Sequence, residues 1–282
     1  MSANSRSNNR RRMTLSTAVK LVFLCLVAVT MLFPFYWVMI SSFKSNNDIF
    51  GRPLGLPTSF SMDAVITAWN NARMGVSMLN SLFYCTVSIV LVMLLSAMVS
   101  FVLAQVRPNK ALYAYFSFGL LIPIHAVIIP LNVILNQLHL GHTRWGLIIA
   151  YIVLQLSLSV FLLTATMRSI PRELTDASII DGCNGSQVFW RIVLPLSKAG
   201  LATVGTLAFI NTWNDLLLGM IIAPTRDLQT VNVAVSNLRV SFSDNYNVLA
   251  AGITCMFIPS VIIYSLFQKQ IIKGLVSGAV KG

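Results

Sequence analysis

Ser169–Pro195 reads SIPRELTDASIIDGCNGSQVFWRIVLP, a polar and charged stretch set between two of the most apolar runs of the chain. It holds the chain's only glutamate, Glu173, and two of its seven aspartates, Asp176 and Asp181. Ser169 and Pro171 are helix-start signals, the acids fall in the first turns where they favour the helix dipole, and Gly182 is a stop. The stretch predicts a short amphipathic helix followed by a turn, which is the form of a docking element.

What it is attached to follows from composition. Hydrophobic residues make up 56% of the 282 and charged residues 10%, with a mean hydropathy of +0.77. A soluble domain is roughly one-quarter charged. Several apolar runs reach the roughly 20 residues that a helix needs to cross hydrocarbon, whereas a barrel shows short alternating segments. The expected fold class is all-α, a polytopic membrane bundle. The net charge of +12 does not point to nucleic acid, because basic residues flank apolar runs instead of forming one patch with interleaved aromatics. Cys25, Cys85, Cys183 and Cys255 have no paired spacing and read as packing residues.

Outward from the polar stretch, six spans are expected, at about 21–40, 78–104, 111–135, 145–166, 200–223 and 248–267. Residues 1–20 and 269–282 are read as tails around a transmembrane domain 21–268. The first run is too long for a signal peptide and ends in aromatics and Pro34, so it reads as a retained span. Pro123 and Pro130 predict a kink or break in the third span.

Six spans put both termini on one side. That side carries Arg6, Arg10, Arg11, Arg12, Lys20, Arg107, Lys110, Arg168, Arg172, Arg191, Lys198, Lys269, Lys273 and Lys281, which is 14 of the 20 basic residues. The positive-inside rule makes the termini and residues 168–198 cytoplasmic, where nucleotide is available.

No GxxxxGK[ST] phosphate loop occurs in the sequence, so energy from ATP has to enter through a partner. His125, His139 and His142 are scattered and read as packing or interface residues. Ionisable residues are nearly absent from the spans, which argues against an ion-coupled carrier. Asp215, in the cluster Asn211, Trp213, Asn214, Asp215, is the exception. It faces a polar cavity or a partner, or else it is solvated at the outer interface. Asn80, Ser81, Asn132, Asn136 and Gln137 serve either as interhelical hydrogen-bond groups or as lining for a hydroxyl-rich solute, and sequence does not separate the two. Phe35, Tyr36 and Trp37 read as an interfacial belt.

Asp176-Ala177-Ser178, three residues, Gly182, nine residues, then Ile192-x-Leu194-Pro195 resembles the EAA loop of the membrane subunits of binding-protein-dependent ABC importers. Ser42-Phe43-Lys44, Trp213-Asn214-Asp215 and the tail Gly274-Leu275-Val276-Ser277-Gly278-Ala279-Val280-Lys281-Gly282 are similar to the carbohydrate-uptake, MalG-like branch. Two positions depart from the pattern, with Asp176 for the usual Glu and Ser178 for the second Ala, and both keep charge sign and small size.

The resemblance implies a type I permease fold in the cell membrane and a non-enzymatic translocation role for a sugar or oligosaccharide. It implies a homologous second permease, two copies of an ABC ATPase that carry the ATP and Mg, and an extracellular solute-binding protein, with no cofactor in this chain. A non-sugar solute such as a glycerol-phosphate-like polyol is the nearest alternative, and an autonomous secondary carrier is the alternative from another class. By the same resemblance Glu173, Asp176, Ala177, Ser178, Asp181 and Gly182 form an ATPase-docking coupling helix, and Gly274, Ser277 and Gly278 reach the ATPases from the tail. Asn80, Asn132, Asn211, Trp213, Asn214 and Asp215 are candidates for the translocation pathway.

Overall fold

The computed structural model describes residues 15–242 and 244–279, which are helical with no strand among them. Helix α1 (Leu15–Ser41) is followed by short α2 (Asn46–Gly51) and α3 (Asp63–Asn71) in the long first loop. Next come α4 (Met74–Phe101), which runs on through a π-turn over 102–106, then α5 (Lys110–Phe118), α6 (Ile124–Gln137) and α7 (Arg144–Arg168). The polar stretch forms α8 (Arg172–Ile180), α9 (Gly185–Val188), a second π-turn over 189–193 and α10 (Leu194–Leu196). The chain closes with α11 (Lys198–Trp213), α12 (Leu217–Ile222), α13 (Val231–Ser241) and α14 (Tyr246–Ala279).

Three helices are long and apolar enough to cross a membrane: Val19–Ser41, Met74–Val106 and Arg144–Arg168. Two bent pairs bring the number to five, Lys110–Leu121 with Ile124–Gln137 at 105° and Gly185–Leu196 with Lys198–Trp213 at 76°; Tyr246–Ile262 is a shorter apolar helix. The first bend has a local cause. Pro123 has no N–H to continue a helix, and both it and Ile122 are extended, with ψ of 127° and 116°, as a proline and the residue before it prefer. The run read as one span over 200–223 is divided, because α11 ends at Trp213 and α12 begins at Leu217.

Helix α4 is the spine, contributing to three buried clusters along its length: one with Cys85 against α3, α13 and α14, one with Tyr84 against α6, α7 and α12, and one with Val92 and Ala97 near the α9 segment. Its buried Ser100 is small enough to let α7 approach closely. The Ser100 hydroxyl donates to the Val160 carbonyl (3.2 Å) and accepts from Thr164 (3.1 Å). Such bonds satisfy side chains that find no water in the bilayer. From Val19 to Ile40 no residue of α1 is buried inside the chain, and Phe35 stacks on Phe257 of α14 with centroids 4.6 Å apart. This apolar outer face is a liability in water and a match for lipid.

At the end of α1, the Lys44 ammonium is buried and donates to the carbonyls of Arg52 (3.0 Å) and Pro53 (3.2 Å), while the Trp37 indole also donates to Pro53 (2.8 Å). The Ser42-Phe43-Lys44 segment thus pins the first loop to its helix. His139 and His142, read as packing or interface residues, do not pack within this chain: both are exposed and hold positive φ (56° and 54°) in the turn between α6 and α7, and His125 is exposed as well, which leaves the interface reading.

Candidate functional site

Two polar regions stand out of this apolar frame. The first is the stretch around α8, whose hydrogen bonds are almost all local. Gly182 has φ +85°, a conformation that L side chains rarely adopt, although a Cβ there meets no atom within 4 Å. Glycine is required by the backbone and not by space. The Cys183 N–H donates to the Ser178 carbonyl (2.9 Å) and the Gly182 N–H to Ile179 (3.0 Å), a Schellman closure of the helix. The next helix starts two residues later with a capping box: the Gln187 N–H donates to Asn184 Oδ1 (2.9 Å) and the Asn184 N–H to Gln187 Oε1 (2.8 Å).

Helix α8 presents Glu173, Asp176, Ala177 and Asp181 outward. Ser178 departs from the expectation of a contact-surface residue: it is 6% exposed, and its hydroxyl donates to the Thr175 carbonyl (2.7 Å). With Thr175 it forms the inner face that seats α8 on its own chain. The outward face also holds Leu174, Ile179 and Ile180, the last 86% exposed, which the sequence reading passed over. Their signal was available as three large apolar residues in a helix otherwise charged and small.

Beneath α8 the stretch is tied to the bundle. Phe189 meets Phe101 of α4 (centroids 5.3 Å apart), and Val188, Phe189 and Val193 share a core with Val92, Leu163 and Val204. The Gln105 amide, in the π-turn after α4, donates to the Met167 (2.6 Å) and Ile170 (3.3 Å) carbonyls at the end of α7. The segments on either side of α8, at Ile170 and Phe189, are thus both joined to the end of α4.

The second region is the break between α11 and α12. Asp215 accepts from the Tyr151 hydroxyl of α7 (2.9 Å) and from the N–H groups of Gly219 (3.0 Å) and Leu218 (3.3 Å), the unpaired donors at the start of α12. The Asn232 amide of α13 donates to the carbonyls of Trp213 and Asp215 that the break leaves free. α12 lies close against α13, as a Cβ on Gly219 comes within 2.9 Å of Val233. The carboxylate is thus fixed by α7 and α12, and the backbone of the break by α13. It is half-buried beside a cavity of about 240 Å³ lined by Tyr151, Gln155, Asn211 and Asp215 together with Ile124, Leu154 and Leu218. A smaller hollow along α7 and α11 shares Leu154, Gln155 and Asn211 with it, so the two form one furrow.

The other pathway candidates divide. Asn80 is buried and donates to the carbonyls of Asp227 (2.9 Å) and Gln229 (3.2 Å), which makes it a loop anchor on α4 instead of a lining residue. Trp213 is buried, stacks on Phe209 and donates to Ser260 (2.8 Å), so it too belongs to the core. Asn214 is exposed and bonds back to Ile210 (3.0 Å). Asn132 keeps a buried Oδ1 without a partner among the described residues. Gly274, Ser277 and Gly278 lie in the last turns of α14, and their side chains lie outside the described residues, as do Val280, Lys281 and Gly282 altogether. No group of three or more metal-ligating side chains occurs among the described residues.

Residues 93–277 match the family model described as the binding-protein-dependent transport system inner membrane component. The chain is 32% identical to the diacetylchitobiose uptake system permease protein NgcG of Streptomyces coelicolor, over 94% of this chain and 88% of that one. It is 31% identical to the probable starch degradation products transport system permease protein AmyC of Thermoanaerobacterium thermosulfurigenes, over 88% of this chain and 91% of that one. Among solved structures, a chain of a bacterial ABC transporter involved in the import of the acidic polysaccharide alginate shares the fold, with a TM-score of 0.78 and 22% identity over 95% of this chain and 99% of that one.

Proposed function

Because the chain belongs to the binding-protein-dependent transport system inner membrane components, we propose that it is the permease subunit of an ATP-driven importer for a sugar or oligosaccharide. It pairs with a homologous second permease. Two copies of a cytosolic ATPase hold the ATP and Mg, and an external binding protein delivers the solute. The termini and residues 168–198 face the cytosol.

The observation that carries this reading is the shape of α8: acids and large apolar side chains point outward, and a Schellman turn followed at once by a capping box fixes the helix as a rigid protrusion. Leu174, Ile179 and Ile180 supply area to bury in a groove of the ATPase, and Glu173, Asp176 and Asp181 meet basic groups at its rim. Nucleotide-driven movement of the ATPases displaces α8 as a rigid body, and the Phe189–Phe101 contact with the Gln105 bonds passes that displacement to α4 and α7. In the resembled branch the C-terminal tail reaches between the ATPases, and Gly274, Ser277 and Gly278 take that role here.

The solute passes along the furrow of α7 and α11 at Gln155, Asn211 and Asp215. The test places a bulky basic residue on the protrusion, as Asp176→Arg or Gly182→Arg. Loss of ATPase co-purification and of uptake is the expected result, and unchanged co-purification with unchanged uptake contradicts the docking role.

A further inference from the structure

The loop that follows α1 turns back along the helix it leaves. Trp37 lies one turn before the end of α1, about 6 Å short of it along the axis. Its indole N–H donates to the carbonyl of Pro53, 16 residues further along the chain (2.8 Å), which returns Pro53 to the last turns of the span. The buried Lys44 ammonium holds the same carbonyl (3.2 Å) and that of Arg52 (3.0 Å). The Gly55 N–H donates to the Arg52 carbonyl (3.2 Å), a tight turn with Pro53 inside it. The Asp48 carboxylate accepts from the Thr58 N–H (3.3 Å) and hydroxyl and closes the base of the loop. The shape is therefore set by bonds within this chain. Leu54 and Leu56 are nonetheless each 71% exposed, and Arg52, also exposed, is the one charged residue in 49–57. Two leucines held open beside the terminal tryptophan of a span are costly in water and matched by the headgroup boundary, where tryptophan concentrates.

We infer that residues 52–57 are an interfacial anchor: Leu54 and Leu56 dip into the outer leaflet where headgroups meet acyl chains, and Arg52 reaches lipid phosphate. Lipid is the occupant because the Trp37 and Lys44 bonds bend the loop down to the span instead of out into the aqueous phase. Its apolar tip continues the outer face of α1, where no residue from Val19 to Ile40 is buried in this chain. A loop already fixed by internal bonds loses little freedom on insertion. The anchor gives the outer end of α1 a hold besides the stacking of Phe35 on Phe257. The inference rests on the importer reading for the side of the membrane on which the loop lies.

The test places bimane on Leu54→Cys or, as an exposed site on α3, on Asn70→Cys, with Cys25, Cys85, Cys183 and Cys255 replaced by serine or alanine. The complete importer is reconstituted in liposomes, and two quenchers are compared: phosphatidylcholine brominated near the headgroup end of its acyl chains, and aqueous iodide. Brominated lipid is expected to lower emission from residue 54 by about twofold or more and to leave residue 70 unchanged, with iodide acting the other way round. Iodide quenching at 54 equal to that at 70 places the loop in water, and protection from both quenchers places it beneath a protein subunit; either overturns the inference. Trp37→Phe combined with Lys44→Met removes both pins, and the bromine quenching at 54 should fall by about half. Quenching that survives this change shows that the pins do not set the depth and also overturns it. A membrane-impermeant maleimide applied to intact spheroplasts reads the side of the membrane. If Asn70→Cys reacts from outside while residue 54 escapes the brominated lipid, the anchor alone falls. If Asn70→Cys reacts only after the membrane is opened, the orientation in the importer reading falls and the outer-leaflet assignment with it.

Discussion

The protrusion at α8 and the break at Asp215 are both polar interruptions of an apolar chain, yet they are built in opposite ways. At α8 the bonds that set the geometry run between residues three to five apart: Gly182 to Ile179, Cys183 to Ser178, and Asn184 with Gln187. At Asp215 they join α7, α11, α12 and α13, with Tyr151 64 residues from the carboxylate it meets. A locally built element can be displaced as a unit without unpacking the bundle, which suits a part that is pushed. A part built from four helices holds its shape only while the helices do, which suits a wall that opens when they move. Mutations should therefore separate along this line, with damage at Asp215 felt as instability and damage at α8 felt as lost coupling.

The largest effect is expected from Asp215→Ala. It strands the Tyr151 hydroxyl and two backbone N–H groups in a half-buried site, at roughly 1 kcal/mol or more for each. Thermal unfolding of the purified importer, followed by size-exclusion chromatography, should show a lower midpoint, with Asp215→Asn falling much less. A midpoint equal to that of the wild type would show that the break is not held by the carboxylate.

Gly182→Val comes next and should reverse the pattern. A β-branched residue at φ +85° costs about 1–2 kcal/mol or more and moves the turn. Uptake and ATPase retention should drop severalfold while the unfolding midpoint of the bundle stays close to that of the wild type. A midpoint lowered as far as in Asp215→Ala would erase the proposed distinction. The smallest change is expected from Asn184→Ala, which removes the capping box at about 1 kcal/mol. Its signature is faster amide exchange confined to 184–188, with uptake reduced less than in Gly182→Val.

The same contrast explains what the sequence disclosed. The α8 turn was legible because its determinants are spaced along the chain, with acids first and Gly182 last, and the Pro123 break was legible because proline acts on its own backbone. The division of the run 200–223 was not, since residues 200–223 are apolar enough for one span and the break depends on Tyr151 and Asn232 arriving from elsewhere. Asn80 and Trp213 were drawn into the pathway by their polarity, but their partners, Gln229 and Ser260, lie in other elements and turn them into packing groups. Gln155 was overlooked for the converse reason: a single glutamine in an apolar helix attracts no notice until its acceptor is found unpaired.

The docking of α8 is tested most directly by crosslinking. Ala177 is exposed on α8, and Asn46 lies at the opposite end of the bundle, at the start of α2. In a background with Cys25, Cys85, Cys183 and Cys255 replaced by serine or alanine, Ala177→Cys and Asn46→Cys are each treated with a short maleimide photo-crosslinker in the assembled importer. The account predicts an adduct between residue 177 and the ATPase, with a yield that changes when ATP is added, and none between residue 46 and the ATPase. An ATPase adduct absent from 177, or formed equally from 46, contradicts it.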